Sequence, residues 1–164
     1  MASPAPTGRT GFAISLKGRA LRLLAGREQS RTELERKLAA HAQTPEQLAQ
    51  VLDELQAKDF ISEARVVASV INRRQAKLGA SRIKHELQGK GIDADMVAEA
   101  LGGLKATELE RAREVWRKKF DSKTNAPSVA DISPADRARQ MRFLAARGFG
   151  AEVIRQVVAG RDDE

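Results

Sequence analysis

The feature that most constrains this chain is a pattern written three times. Residues 84–101, KHELQGKGIDADMVAEAL, read as a helix, a glycine turn and a second helix. Residues 139–158, RQMRFLAARGFGAEVIRQVV, have the same layout, and residues 35–52, ERKLAAHAQTPEQLAQVL, have it with a longer polar turn. Leu38, Leu87 and Leu144 superpose without gaps. Beneath them fall Ala42, Gly91 and Gly148, then Gln43, Ile92 and Phe149, then Leu48, Val97 and Ile154, and last Val51, Ala100 and Val157. Two short helices with one apolar stripe cannot enclose a core alone, and neighbouring repeats must supply the rest. A preceding helix, over 17–25, 62–77 and 107–120, closes each unit. The expected fold is all-α, with three tandem three-helix, helix-turn-helix-like repeats forming an elongated, curved molecule. Its expected limits are a disordered arm over 1–15, repeats over 16–61, 62–104 and 105–160, and a frayed tail over 161–164.

Start and stop signals support about nine helices. Ser30-Arg-Thr-Glu33, Thr44-Pro-Glu-Gln47 and Thr107-Glu-Leu-Glu110 have the spacing of capping boxes, in which a hydroxyl and a carboxylate or amide satisfy first-turn amides reciprocally. Pro45 sits where a helix does not miss its N–H. Gly79 is expected to end the helix over 62–77, and Gly102-Gly103 to break the chain. Residues 121–132 are the longest loop signal. No window alternates apolar and polar residues as a half-buried strand does.

Several functions are excluded by what is missing. No apolar run approaches the roughly 20 residues of a membrane span, and the N-terminus lacks a signal-peptide core. The chain has no cysteine, which removes thiolate chemistry, disulfides and Cys-type zinc sites and makes a cytoplasmic location the default. His41 and His85 are isolated, so no metal site is expected. There is no phosphate loop and no nucleophile arrangement, so neither enzyme activity nor a cofactor is expected. With one Trp, five Phe and no Tyr, an aromatic platform for stacking bases is also disfavoured.

The formal charge of +7 favours an acidic partner, and it is uneven. Residues 33–63 carry seven acids and three bases, whereas residues 64–91 carry seven bases and one acid. Three basic patches are candidates for partner binding: Arg73, Arg74, Lys77, Arg82 and Lys84; Arg117, Lys118 and Lys119 beside Trp116; and Arg139, Arg142 and Arg147. Such cations suit phosphates or acidic protein better than base reading. Trp116 and Phe120, four apart, are expected as core anchors. The helix–turn–helix layout also raises a major-groove reader, a DNA-binding protein of nucleoid or transcriptional type. Asp93 argues against it: at a helix start it caps well and repels phosphate. A generic helical scaffold is the third reading.

The order of three segments is more specific. Residues 20–38 (ALRLLAGREQSRTELERKL), 62–93 (SEARVVASVINRRQAKLGASRIKHELQGKGID) and 141–154 (MRFLAARGFGAEVI) resemble the RecX family of regulators of the RecA recombinase. The resemblance runs over nearly the whole chain beyond the arm. Val66 stands where the family usually has an aromatic, and Lys77-Leu78-Gly79-Ala80 where it usually has Gly-Tyr-Gly-Pro; the two lost aromatics, at 66 and 78, read as core or packing positions. The resemblance implies a non-enzymatic negative regulator that binds RecA filaments on single-stranded DNA, in the groove or at the growing end. It would limit extension, ATPase, strand exchange and coprotease activity. Direct DNA binding would be weak, and a monomer is expected because the repeat stripes are used internally.

Overall fold

The computed structural model describes residues 13–121 and 132–160. Most of the predicted arm and loop, and the acidic end Asp162-Asp163-Glu164, lie outside the described residues. The described residues form nine α-helices and one 3-10 turn, with no strand. The chain divides into two compact units, the first ending at Ile61 and the second beginning at Ser62.

The first unit holds α1 (Leu16–Gly26), α2 (Arg31–Leu38), the 3-10 turn Ala39–His41 and α3 (Pro45–Ala57). The Ser30 box forms in full: Ser30 Oγ accepts from Glu33 N at 3.1 Å, and Glu33 Oε2 accepts from Ser30 N at 2.8 Å. The Thr44 box forms with a shift. Thr44 Oγ1 accepts from Gln47 N at 3.1 Å, but Gln47 Oε1 reaches one residue further back, to Gln43 N at 2.8 Å. Leu16, Ala20, Leu34, Leu38, Leu48, Leu52, Leu55 and Ile61 make the core. Asp59 takes a left-handed φ of 63°, letting Phe60 N donate back to Leu55 O at 2.9 Å and closing α3.

The second unit holds two helix triplets: α4 (Glu63–Arg74), α5 (Ala80–Gly89) and α6 (Ala94–Lys105), then α7 (Glu108–Phe120), α8 (Pro134–Ala146) and α9 (Ala151–Ala159). Each triplet has its own apolar cluster, centred on Val70, Ile83 and Leu87 in one and on Ala112, Leu144 and Val157 in the other. The repeat is visible in backbone geometry. Gly91 (φ 70°) and Gly148 (φ 87°) end α5 and α8. Ile92 N then donates to Leu87 O, and Phe149 N to Leu144 O, each at 3.3 Å. The following apolar residue thereby folds back onto the last turn, and both Ile92 and Phe149 are buried. In the first unit Ala42, with extended backbone, takes the equivalent place, which is why that turn is longer. Asp93 caps α6 as expected, its Oδ2 accepting from Asp95 N and Met96 N. Val66 is buried and Leu78 packs against its cluster, as packing positions should.

Three local signals gave way to tertiary contacts. Gly102 and Gly103 do not break the chain; α6 runs through them to Lys105. Leu104, just beyond, is buried. Burying a Leu is worth about 1.5–3 kcal/mol, which offsets about 1 kcal/mol of lost helix propensity per glycine. Gly79 does not end α4, which stops at Arg74; it is the residue before α5. The Thr107 box does not form. Thr107 Oγ1 instead donates back to Leu104 O at 3.3 Å and accepts from Arg111 Nε at 3.1 Å.

The two triplets of the second unit are joined by polar backbone contacts. Gly79 N donates to Arg147 O at 2.8 Å and Ser81 N to Gly148 O at 3.3 Å. The buried Glu108 accepts from Ala80 N at 3.1 Å, so α5, which lacks a side-chain cap of its own, has its first amides satisfied by α7 and the α8–α9 turn. Arg111 closes the other side. Its guanidinium donates to Gln75 O at 3.0 Å, Leu78 O at 2.8 Å and Leu104 O at 3.0 Å. Burial pushes this guanidinium below its ordinary pKa while Glu108 pulls the other way; the three carbonyls it donates to stabilise its charge.

Candidate partner-binding surface

The joint sets α7 and α8 beside the end of α4. Four cationic side chains from three separate stretches of sequence thereby reach one groove of about 390 Å³. Lys77 comes from the turn after α4, Lys118 and Lys119 from α7, and Arg147 from the end of α8. Val115 and Phe143 form its apolar lining. Lys118 and Lys119 stand in the last turn of α7, where cations also suit the helix dipole.

Phe143 organises the cations. The Arg147 guanidinium lies 4.8 Å from its ring centroid and the Lys119 ammonium 5.9 Å. Phe120 meets the same ring edge-to-face, with centroids 5.3 Å apart and planes at 85°. Arg139 lies 5.9 Å from the Phe120 centroid, and a second cavity is lined by Lys119, Phe120, Arg139 and Phe143. Cation–π contacts hold long, otherwise mobile side chains in place without consuming their hydrogen-bond donors. Trp116 and Phe120 are half-buried, centroids 6.2 Å apart, and Trp116 Nε1 donates to Gln140 Oε1 at 2.9 Å. Neither is in the buried core expected of them: Trp116 packs against the apolar cluster of its triplet, and Phe120 meets the rings of Trp116 and Phe143.

The other predicted cations are placed differently. Arg74 is held by Glu86 at 3.1 Å, and Arg73 Nε by Ser69 O at 3.4 Å. Arg117 pairs with Glu114 at 3.6 Å, and Glu114 also reaches Lys118 at 4.0 Å. Arg139 stands 3.9 Å from Asp136. Arg82 covers Gly148 with its aliphatic stem, while Lys84 and Arg142 are exposed and line neither cavity.

Sequence reasoning missed Phe143, the residue on which the patches converge; its spacing of four from Arg147 was the available signal. It also missed a cavity of about 300 Å³ in the first unit, where Arg19, Arg22, Lys37 and His41 surround Leu23 and Leu38. Here α1 supplies two cations three apart, which a single-patch count along the chain does not pick out. Among the described residues no group of His, Asp and Glu could hold a metal, and no helix is long and apolar enough to cross a membrane.

Comparison with known proteins agrees with this architecture. Family models for the first, second and third three-helix domains of RecX match residues 17–55, 62–101 and 106–158. The regulatory protein RecX of Leptothrix cholodnii is 53% identical over 151 residues, covering 92% of each chain. That of Herminiimonas arsenicoxydans is 45% identical over 150 residues, covering 92% of this chain and 95% of the relative. The crystal structure of RecX from Lactobacillus salivarius matches with a TM-score of 0.71 at 20% identity, over 88% of this chain and 93% of that one, which speaks for the fold. Three family domains in order, with identity of this extent, place the chain in the RecX family of regulatory proteins.

Proposed function

We propose that the chain is a negative regulator of the RecA recombinase that binds the RecA filament on single-stranded DNA, in its groove or at its growing end. It acts without catalysis: bound protein limits filament extension, and with it ATP hydrolysis, strand exchange and coprotease activity. The observation that carries this reading, beyond family membership, is the convergence of Lys77, Lys118, Lys119 and Arg147 on one groove. A filament of protein on DNA is an acidic track, and a net charge of +7 favours encounter with it. The organising units of the reading are the repeats 16–61, 62–104 and 105–160, acting as a monomer in the cytoplasm.

A direct DNA reader is the rival. The start of α6 presents Asp93 and Asp95, acids that disfavour a phosphate at that turn. The test is ATP hydrolysis by RecA on single-stranded DNA as this protein is titrated in at fixed salt, with a parallel series in excess DNA. Inhibition well below one protein per RecA and insensitive to added DNA is the expected result. Inhibition that vanishes in excess DNA would give the lead to a DNA-binding protein that masks the lattice.

A further inference from the structure

The groove at the end of α4, α7 and α8 has more specific chemistry than a basic patch. Its rim is cationic: Lys77, Lys118, Lys119 and Arg147, with no acid among the lining residues. Glu114, the acid beside the rim, is shared between Arg117 and Lys118 at the long end of ion pairing. The lining is apolar, from Val115 and Phe143. A bare phosphate track has no use for that apolar surface, because a phosphodiester brings nothing to bury there.

Two polyanions could use both parts: a nucleic-acid strand, with bases on the aromatic ring, or an acidic protein segment with an apolar side chain. The state of Phe143 separates them. Its π-face is already engaged by the Arg147 guanidinium at 4.8 Å and by Lys119 at 5.9 Å, and Phe120 packs against it edge-to-face. A base stacking on the ring competes with these cations for its π-surface, giving up contacts of the kind it makes, whereas an aliphatic side chain needs only apolar contact with the parts of Val115 and Phe143 that line the groove. A carboxylate needs no displacement. It binds the in-plane N–H groups of a guanidinium whose flat side stays on the ring. The groove's volume of about 390 Å³ lies at the low end of ligand pockets, about 300–1,000 Å³, which suits one anchoring side chain rather than a docked domain.

We propose that the Lys77–Lys118–Lys119–Arg147 groove is a docking site for an acidic protein segment that inserts one apolar side chain against Val115 and Phe143. This deepens the regulatory reading and rests on it: the segment belongs to the protein component of the target, not to its DNA.

The test uses the full chain and three fluorescein-labelled probes: a short Asp/Glu-rich peptide with one central Leu, the same peptide with Ser for Leu, and oligo(dT). Anisotropy titrations at constant salt give the affinities. The Leu peptide should bind on the order of tenfold more tightly than the Ser peptide, the value of burying one such side chain. Lys77→Glu with Lys118→Glu should cost at least about tenfold in Leu-peptide affinity, since like charges then face the probe. Lys105→Glu, a charge reversal at an exposed position lining neither cavity, should cost far less. Equal affinity for the two peptides, or oligo(dT) binding more tightly and displacing the Leu peptide, would overturn the assignment; the second outcome would make the groove a strand-binding surface. RecA ATP hydrolysis is measured with the same proteins. Inhibition by the wild-type chain with no preference for the Leu peptide overturns the groove assignment alone. The expected peptide result with no inhibition overturns the regulatory reading alone.

Discussion

The amide of Gly79 donates to the carbonyl of Arg147 at 2.8 Å, and this bond fixes how the last two helix triplets meet. Arg147 is thereby tied at its backbone to the start of α5, while its side chain lies over Phe143 in the groove. The residue that joins the triplets is also one that builds the candidate site.

The joint has no room for a methyl group. A Cβ on Gly148 would stand 2.3 Å from Arg82 Cγ and 2.6 Å from Arg82 N, and its φ of 87° is left-handed. The backbone conformation costs roughly 1–2 kcal/mol for a residue with a Cβ, and forced overpacking typically about 1–3 kcal/mol more. Gly148→Ala should therefore lower unfolding free energy by about 3 kcal/mol, read from the urea midpoint at constant slope. Gly79→Ala, whose Cβ would stand 2.3 Å from Gly148 O, should do similar damage because backbone cannot step aside.

The opposite sign is expected in α6. Gly102 and Gly103 lie within the helix with nothing near an added Cβ. Replacing either by Ala should raise stability by about 0.4–1 kcal/mol, mainly by restricting the unfolded chain. A rise in thermal midpoint checks it; a fall would mean that α6 must open at this point.

Glu108 and Arg111 should separate by chemistry. Glu108→Ala strands the buried amide of Ala80 and should cost about 1–3 kcal/mol, whereas Glu108→Gln keeps an acceptor and should cost less. Arg111→Lys loses the planar fork that serves three carbonyls at once and should recover only part of the loss seen in Arg111→Ala. Chemical denaturation of the four variants orders them.

In the first unit, Glu54 is held down to a pKa of about 2, first by its hydrogen bond from Lys17 at 2.7 Å and then by that from Lys58 at 2.9 Å. A depressed carboxylate adds stability that is fully present above its ordinary value of 4.5 and is lost as pH falls from there through about 2. The group is exposed, so the effect is small and screened by salt. Comparing wild type with Glu54→Gln from pH 5 downward at low salt should show a shallower acid limb in the variant, and the difference should shrink at high salt.

Charge reversal should not act equally along the first predicted patch. Lys77 lines the groove, whereas Arg74 already pairs with Glu86. Lys77→Glu should weaken inhibition of RecA ATP hydrolysis more than Arg73→Glu or Lys84→Glu, with circular dichroism unchanged. Equal effects would mean that only the summed charge matters.

Most of the helical plan was legible in the sequence, because periodic apolar residues and caps act within one or two turns. Leu38, Leu87 and Leu144 occupy equivalent buried places, and Ser30 and Asp93 cap where their spacing said they would. The basic residue types of the candidate site were legible too. What failed were local breaks and caps with strong competitors elsewhere in the fold. Gly102-Gly103 stays helical beside the buried Leu104, Thr107 turns back to Leu104, and Gly79 is spent on the Arg147 carbonyl. Composition and spacing determined a chain of helix triplets with surplus positive charge. Only the tertiary structure decided which cations share a groove and which are neutralised. That choice depends on contacts of the turn after α4 with α7 and the end of α8, and a stripe pattern within one helix carries no information about which helix lies beside it.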